Sequence, residues 1–125
     1  MRRPVCVALL ALSAAFPAHG MDRGQHLFEE GCISCHSLDA DNTMVGPSLS
    51  GLWGRKAGGL PSFTRYSPAM RAADVVWADD TLDQFLADPQ ALIPENHMAF
   101  PGIDDRQARS DLIGFLKEEA QPNPR

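Results

Sequence analysis

Two cysteines and a histidine stand close together in residues 31–37, which read GCISCHS. Cys32 and Cys35 are separated by two residues and His36 follows directly, which is the C-x-x-C-H sequence that attaches a c-type haem. The spacing suits that chemistry because two thiols can bond to the two vinyl groups on one edge of a porphyrin, and the next imidazole then lies under the iron. The sequence therefore predicts one haem c per chain, bound covalently through Cys32 and Cys35.

Two other interpretations of this cysteine pair fit less well. A structural zinc site needs four ligands, commonly from a second Cys or His pair, and no second cysteine pair follows in the chain. A redox-active pair of the thioredoxin type needs a strand before the cysteines and a βαβ pattern around them, and neither is visible. Haem is the leading interpretation, with disulfide exchange as the alternative.

An iron held by His36 needs a sixth ligand or an open face, and the candidates are His26, His97, Met44, Met70 and Met98. Packing or surface roles are the simpler interpretation of His26, Met44 and Met70. Met98 lies in the proline-punctuated stretch IPENHMAFPG, which joins two predicted helices and can extend across the far face of a porphyrin. His97 is its rival, but neighbouring side chains of an extended segment point in opposite directions. We favour Met98.

The N-terminus has the layout of a secretory signal peptide. Arg2 and Arg3 precede an apolar run of about 12 residues, and small residues then stand at 18 and 20. Because a membrane-spanning helix needs about 20 apolar residues, we predict a signal peptide at residues 1–20, cleaved after Gly20, with an uncleaved anchor as the alternative. Cys6 belongs to this segment. The mature protein is then a single domain at residues 21–125.

The predicted mature chain is acidic. It has 16 acidic and nine basic residues, which gives a formal net charge of −7. No basic cluster is long enough to offset that charge, so nucleic acid is not an expected partner.

The pattern of apolar residues predicts an all-α fold with three to five short helices, long loops and no strands. The first helix is predicted over about Asp22–Ile33 and the last from the N-cap Asp104, with Gln107 completing a capping box. Between them the predicted helices begin at Pro68, with Ser67 as N-cap, and at Trp77, the latter ending before Pro89. A core of this size is marginal. The haem therefore supplies missing apolar mass, and the chain without haem should be largely unfolded.

Six segments in the same order and at similar spacing resemble class I c-type cytochromes, particularly the bacterial cytochrome c2/c550 branch closest to the mitochondrial type. The resemblance covers Asp22 to Ala120 and rests on GQHLFEEGCISCH, VGPSLSGLWGRKAG, RYSPAM, VVWADDTLDQFLADP, IPENHMAFPGI and RSDLIGFLK.

The resemblance implies the cytochrome c fold wrapped around one haem and assigns roles to further residues. His36 would be the proximal and Met98 the distal iron ligand, with the Pro47 carbonyl binding the other ring nitrogen of His36. The remaining cofactor-binding residues would hydrogen-bond or neutralise the haem propionates: Arg55, Tyr66 and Trp77. Two folding roles are also implied. Gly24 and Phe28 would meet Leu112 and Phe115 where the first and last helices cross, and Phe100 would cover the haem edge.

The implied function is that of a soluble, monomeric one-electron carrier of the periplasm. Its six-coordinate His/Met haem c would leave no position for a small-molecule substrate, so it would not be an enzyme. Expected partners are redox proteins: an oxidase, a bc1-type complex or a dehydrogenase. The alternative is a dedicated haem c redox subunit, or obligate electron acceptor, of a periplasmic dehydrogenase. A third interpretation is a haem enzyme or sensor whose distal ligand leaves.

Three positions depart from the family's pattern near the distal ligand. Phe85 stands where many relatives have a tyrosine that hydrogen-bonds the methionine sulfur, Glu95 stands where glycine is common, and His97 stands where lysine is common. The docking lysines of the mitochondrial type are also largely missing, and the basic residues on that side are Arg55, Lys56, Arg65 and Arg71. We therefore expect a different partner surface, or weaker electrostatic steering.

Overall fold

The computed structural model describes residues 18–122. The predicted signal peptide lies outside the described residues except for its last three residues, which begin the first helix. Five helices follow one another along the described chain: α1 Ala18–Gly31, α2 Pro68–Ala72, α3 Asp79–Ala87, α4 Pro89–Leu92 and α5 Arg106–Glu119. Within residues 18–122 the only strand-like pairing is an isolated antiparallel bridge between Lys56 and Val76. The all-α prediction is confirmed.

The first and last helices cross at close range, and a glycine makes the crossing possible. A Cβ atom at Gly24 would lie 2.6 Å from the Cβ of Phe115 and would overlap the backbone carbonyl of Asp111. One turn further along α1, the rings of Phe28 and Phe115 pack with their centroids 5.6 Å apart, and Leu112 is completely buried nearby. The predicted contact between these helices is confirmed.

Helix α3 begins two residues later than the sequence predicted. Ala78 has an extended backbone, and its N–H donates to the hydroxyl of Thr81 at 2.8 Å, so Ala78 is the residue before the helix. Trp77 precedes it in extended backbone, with its N–H bonded to the carbonyl of Arg55 at 2.9 Å. The assignment of Trp77 to this helix was therefore wrong.

Other helix boundaries also differ from the prediction, and α1 spans Ala18–Gly31 in place of Asp22–Ile33. Asp105, and not Asp104, caps α5, because its carboxylate accepts the N–H of Gln107 at 2.9 Å. The Gln107 side chain binds Asp111 at 3.0 Å and forms no capping box. Pro89 ends α3 as predicted but also opens the short helix α4, whose N-cap Asp88 accepts the N–H of Ala91 at 3.2 Å.

The loop between α4 and α5 is tied to the helices by one arginine. Arg109 of α5 donates to the carboxylate of Asp83 in α3 at 2.7 Å and to the carbonyls of Ile103 and Asp104 at 2.8 and 2.9 Å. Its side chain is only 12% exposed.

In the described part of the chain, no helix has the length and apolar character needed to cross a bilayer.

Candidate haem-binding site

One largely apolar cavity of about 250 Å³ brings the predicted site residues together. All eight line its wall: Cys32, Cys35, His36, Pro47, Arg55, Tyr66, Trp77 and Met98. They come from the end of α1, from the long loop before α2, from the residues before α3 and from the loop before α5. Their roles toward a cofactor stay predictions, but their convergence on one cavity is a fact of the fold.

The two cysteines lie in the turn that ends α1. The N–H groups of Cys35 and His36 both donate to the carbonyl of Cys32, at 3.0 and 2.9 Å, so this turn holds the three residues at one end of the cavity. Both thiols are free, Cys32 being buried and Cys35 half-buried. Burial, with the neighbouring Cys35 in second place, raises the pKa of Cys32 to about 11. At neutral pH Cys32 is therefore protonated.

The His36 ring is fixed by the segment that passes behind it. Its Nδ1 lies 2.8 Å from the carbonyl oxygen of Pro47. Because a carbonyl can only accept, Nδ1 carries the hydrogen and Nε2 keeps its lone pair for a metal. Burial lowers the pKa of His36, with the Pro47 hydrogen bond opposing that shift, so the ring favours the neutral form that a ligand requires. The contact that the resemblance implied for Pro47 is present.

Gly46 also shapes the space around this imidazole. Its N–H donates to the carbonyl of Cys35 at 2.8 Å, and a Cβ at this position would lie 2.7 Å from His36 Nδ1. Such an atom cannot be accommodated without moving the ring. Only glycine therefore lets residues 46–47 approach His36 closely enough for the Pro47 hydrogen bond.

Met98 and His97 differ in exposure although both line the cavity. Met98 is half-buried and packs against the core, whereas His97 is exposed. The backbone N–H of Met98 donates to the side-chain oxygen of Asn96 at 3.0 Å. Asn96 is only 6% exposed, and its amide nitrogen donates to the carbonyls of Pro89 and Ile93 at 3.0 and 2.8 Å. One buried amide thus joins Met98 to α4.

A second side-chain amide holds the same loop. Gln90 donates to the carbonyl of Asn96 and accepts the N–H of Glu95, both at 3.0 Å. Glu95 has φ +64°, the left-handed conformation that glycine adopts without steric cost. The departure at Glu95 therefore places a side chain where the backbone favours glycine, and Gln90 stabilises that conformation.

The aromatic and basic residues of the cavity have individual environments. Trp77 is buried against Phe85, with ring centroids 5.0 Å apart, and Phe85 brings no hydroxyl to the Met98 side of the cavity. Tyr66 packs edge-on to Phe63 at 4.7 Å, and its hydroxyl accepts the N–H of Leu60 at 3.4 Å. Burial raises the pKa of Tyr66. The predicted haem-edge residue Phe100 is half-buried and also lines the cavity.

Arg55 is a half-buried cation whose partners are neutral. It donates to the carbonyls of Ser48 and Ser50 at 2.7 and 2.5 Å. Burial lowers the pKa of its guanidinium, a shift that an anion in the cavity would oppose. The wall near Arg55 and Tyr66 therefore suits a ligand that carries carboxylates.

The donor set fits a haem better than a bare metal ion. No group of three or more His, Cys, Asp or Glu side chains within residues 18–122 is arranged to hold a metal by itself. The cavity offers two free thiols, one neutral imidazole and one thioether in an apolar wall, with a cation and a hydroxyl for carboxylates. Those groups match a porphyrin with vinyl and propionate edges and an iron that takes its axial ligands from the protein.

Sequence reasoning missed three residues that position the site: Gly46, Gln90 and Asn96. A glycine directly before Pro47 is a local sign of close backbone approach. An asparagine in a proline-rich loop is a sign of side-chain to backbone bonding. The role of Gln90 has no local signature, because its partners are set by the folded loop.

The fold and site define a protein class, a small α-helical domain with a covalent haem-attachment turn at the end of its first helix. Comparison with known proteins agrees, since the cytochrome c family model matches residues 21–119. The chain is 37% identical to cytochrome c type-1 of Ascaris suum over 105 residues, covering 84% of this chain and 93% of the relative. It is 38% identical to cytochrome c of Gibberella zeae (79% and 93%) and 40% identical to that of Arabidopsis thaliana (79% and 88%), each over 100 residues.

This chain belongs to the cytochrome c family. It is accordingly an electron-transfer protein and not an enzyme, its cofactor is a covalently attached haem c, and its partners are redox proteins.

Proposed function

We propose that this protein is an exported, monomeric one-electron carrier of the periplasm, with residues 1–20 removed as a signal peptide and an iron held by His36 and Met98. The observation that carries the ligand assignment is the shared cavity in which a neutral imidazole with a free Nε2 and a half-buried thioether both lie. His97 is the less suitable ligand because its side chain is exposed.

When bound, haem c supplies an iron that cycles between the ferrous and ferric states. The chain's own residues set the conditions for that cycle. Pro47 keeps the His36 ring in one tautomer and orientation. A soft thioether from Met98 favours the ferrous state relative to a second nitrogen ligand. If His36 and Met98 both held the iron, it would have no position left for a substrate, whereas an electron could still pass.

Substitution of the two rival residues tests the distal ligand. Met98→Ala should abolish the weak near-infrared absorption that is typical of a thioether bound to ferric haem, because alanine has no sulfur to bind the iron. The matched variant His97→Ala should leave that absorption intact. Survival of the absorption in Met98→Ala would show that another side chain is the ligand.

The mass and location of the mature protein test export. Expressed in a bacterium that matures c-type cytochromes, the protein should be recovered from the periplasm with the mass of residues 21–125 plus one haem. The family match, which begins at residue 21, supports this boundary. Recovery of the full-length mass would contradict cleavage after Gly20.

The acidic composition also favours a second candidate, a dedicated haem c subunit or electron acceptor of a periplasmic dehydrogenase. A net charge of −7 in the mature chain suits one specific partner better than broad electrostatic steering. Purification from the native host at moderate salt distinguishes the two. A free carrier elutes alone, whereas a subunit elutes in a stoichiometric complex.

A further inference from the structure

Ser48 is a buried polar residue that lies between two residues of the cavity wall, Pro47 and Leu49, without being part of that wall. It is only 1% exposed. Its hydroxyl donates to the carbonyl oxygen of Asp39 at 2.6 Å and accepts the backbone N–H of Ser50 at 3.2 Å. Because unpaired polar groups are costly in a protein interior, these two bonds fix the position of Ser48.

The backbone carbonyl of Ser48 is held as well. It accepts a hydrogen bond from Nη1 of Arg55 at 2.7 Å, and Nη2 of the same guanidinium donates to the carbonyl of Ser50 at 2.5 Å. Hydrogen bonds from a charged donor are stronger than those between neutral groups. Ser48 is thus anchored through both its side chain and its main chain.

Ser48 also closes a ring of contacts that includes His36. Ser37 directly follows His36, and its hydroxyl accepts the N–H of Asp39 at 3.0 Å. The carbonyl of Asp39 accepts the Ser48 hydroxyl, and the carbonyl of Pro47 lies 2.8 Å from Nδ1 of the imidazole. The ring of contacts therefore runs through His36, Ser37, Asp39, Ser48 and Pro47.

A proline in this ring leaves one backbone rotation that can aim its carbonyl. The pyrrolidine ring fixes φ of Pro47, so the direction of its carbonyl oxygen depends on ψ, and hence on where Ser48 is held. On the other side, the N–H of Gly46 donates to the carbonyl of Cys35 at 2.8 Å. With Gly46 and Ser48 both anchored, the Pro47 carbonyl has little freedom to turn away from His36.

We propose that Ser48 is a positioning residue for His36, whose hydroxyl holds the Pro47 carbonyl on Nδ1 and thereby lowers the reduction potential of the haem iron. The inference rests on the proposed ligation of the iron by His36. A hydrogen bond from Nδ1 to a carbonyl makes Nε2 a more basic ligand, and a more basic ligand favours the ferric state. Loosening of the Pro47 carbonyl should therefore raise the potential.

Ser48→Ala in the haem-bearing protein tests this role. The change removes the hydroxyl and leaves the backbone carbonyl of residue 48 to accept Arg55. In a redox titration the ferrous form should gain about threefold or more over the ferric form, which is a rise of about 28 mV for a one-electron couple. An unchanged potential would refute the proposal.

A second measurement reports on the hydrogen bond to His36. In the ferrous variant, NMR should show that the Nδ1 proton of His36 exchanges with deuterium about tenfold faster than in the parent, because the carbonyl opens locally. The backbone amides of Leu112 and Leu116 in α5 are the internal reference and should change less. Equal acceleration at both places would show general destabilisation and would contradict a positioning role.

Ser50→Ala is the matched control. Ser50 belongs to the same loop, and the change removes a hydroxyl of the same kind while keeping the backbone N–H and carbonyl that contact Ser48 and Arg55. It should leave the potential and the exchange of the His36 proton close to those of the parent. Equal shifts in Ser48→Ala and Ser50→Ala would overturn the specific role of Ser48.

Ser37→Ala keeps the proposal testable if Ser48→Ala does not retain haem. Ser37 is half-buried, and its hydroxyl accepts the N–H of the exposed Asp39, so this change opens the same ring at a point that water can reach. The potential should rise in the same direction as for Ser48→Ala, by a smaller amount. A potential equal to that of the parent would refute the ring of contacts.

The proposal and the proposed function fail in different ways. In the ferrous parent, ring protons of His36 that are shifted upfield by the porphyrin establish that the imidazole lies against the haem. Their absence would refute the proposed ligation. A parent that shows this shift but whose potential does not respond to Ser48→Ala would refute the positioning role alone.

Discussion

Two side-chain amides decide where Met98 lies. Asn96 forms three hydrogen bonds from a buried position, and Gln90 forms two more across the same loop. The nearby aromatic residue Phe85 has no hydroxyl with which to support a thioether. At the residue scale, the position of Met98, the proposed distal ligand, therefore depends on the loop's own hydrogen bonds and not on a bond to its sulfur.

Asn96→Ala should loosen this loop. Loss of the amide leaves the Met98 N–H without its partner and removes one of the two hydrogen bonds at the carbonyls of Pro89 and Ile93, which costs about 1–3 kcal/mol. If the loop opens locally, imidazole should displace Met98 from ferric haem at a roughly tenfold lower concentration, as about 1.4 kcal/mol of local opening predicts. An imidazole titration followed in the visible spectrum measures it.

His97→Ala is the control for this measurement. His97 is an exposed neighbour of Met98, and its removal should leave the imidazole affinity close to that of the parent. An unchanged affinity in Asn96→Ala would mean that the two amides do not position Met98.

At the scale of the helices, the crossing of α1 and α5 and the helix ends follow different rules. The family resemblance implied that α1 and α5 meet, and apolar spacing predicted the apolar face of each helix, because burial selects whole faces. The sequence pattern did not predict that Asp105, and not Asp104, is the N-cap of α5. Aspartate is a good cap residue at either position, and the fold decides which carboxylate reaches the N–H of Gln107. Trp77 was wrongly placed in α3 for the same kind of reason, because the Thr81 hydroxyl sets that end.

Gly24 of α1 and Gly114 of α5 should respond to alanine with opposite signs. At Gly24 a Cβ would overlap α5, so Gly24→Ala should destabilise the protein by about 1–3 kcal/mol. At Gly114 no atom lies within 4 Å of an added Cβ, so Gly114→Ala should stabilise it by about 0.5–1 kcal/mol through helix propensity. Urea unfolding of the haem-bearing variants measures both. If both variants changed the free energy of unfolding in the same direction, the close crossing of α1 and α5 would be contradicted.

At the scale of the whole molecule, the core and the cavity share residues. Buried Leu82, Phe85 and Leu86 belong to the core and also line the cavity, so much of the apolar interior is also cavity wall. Cys32, Cys35 and His36 could be found from a local motif, and Pro47 from a family resemblance. The roles of Gly46, Gln90 and Asn96 could not be found in this way. They depend on contacts between segments that only the folded chain brings together.

Removal of the haem should therefore unfold the chain. The double variant Cys32→Ser with Cys35→Ser should carry no haem that survives acid-acetone extraction, and its far-UV circular dichroism should lose most of its helical signal, because the cavity would be left without its apolar filling. A single substitution at an exposed site, Gln121→Ala, provides the haem-bearing reference. A cooperative thermal transition in the haem-free variant would contradict this prediction.

Residues 42–73 contain no acidic residue but carry the exposed cations Lys56, Arg65 and Arg71, so positive charge is unevenly distributed on an otherwise acidic molecule. An anionic surface at a distance exerts a torque on such a molecule and turns its positive end forward before contact, so fewer collisions occur in unproductive orientations. The negative pole, which carries most of the charge, is repelled by the same surface, and this opposing force shortens the lifetime of the encounter. Rapid capture and rapid release are both useful to a protein that must discharge its electron and leave.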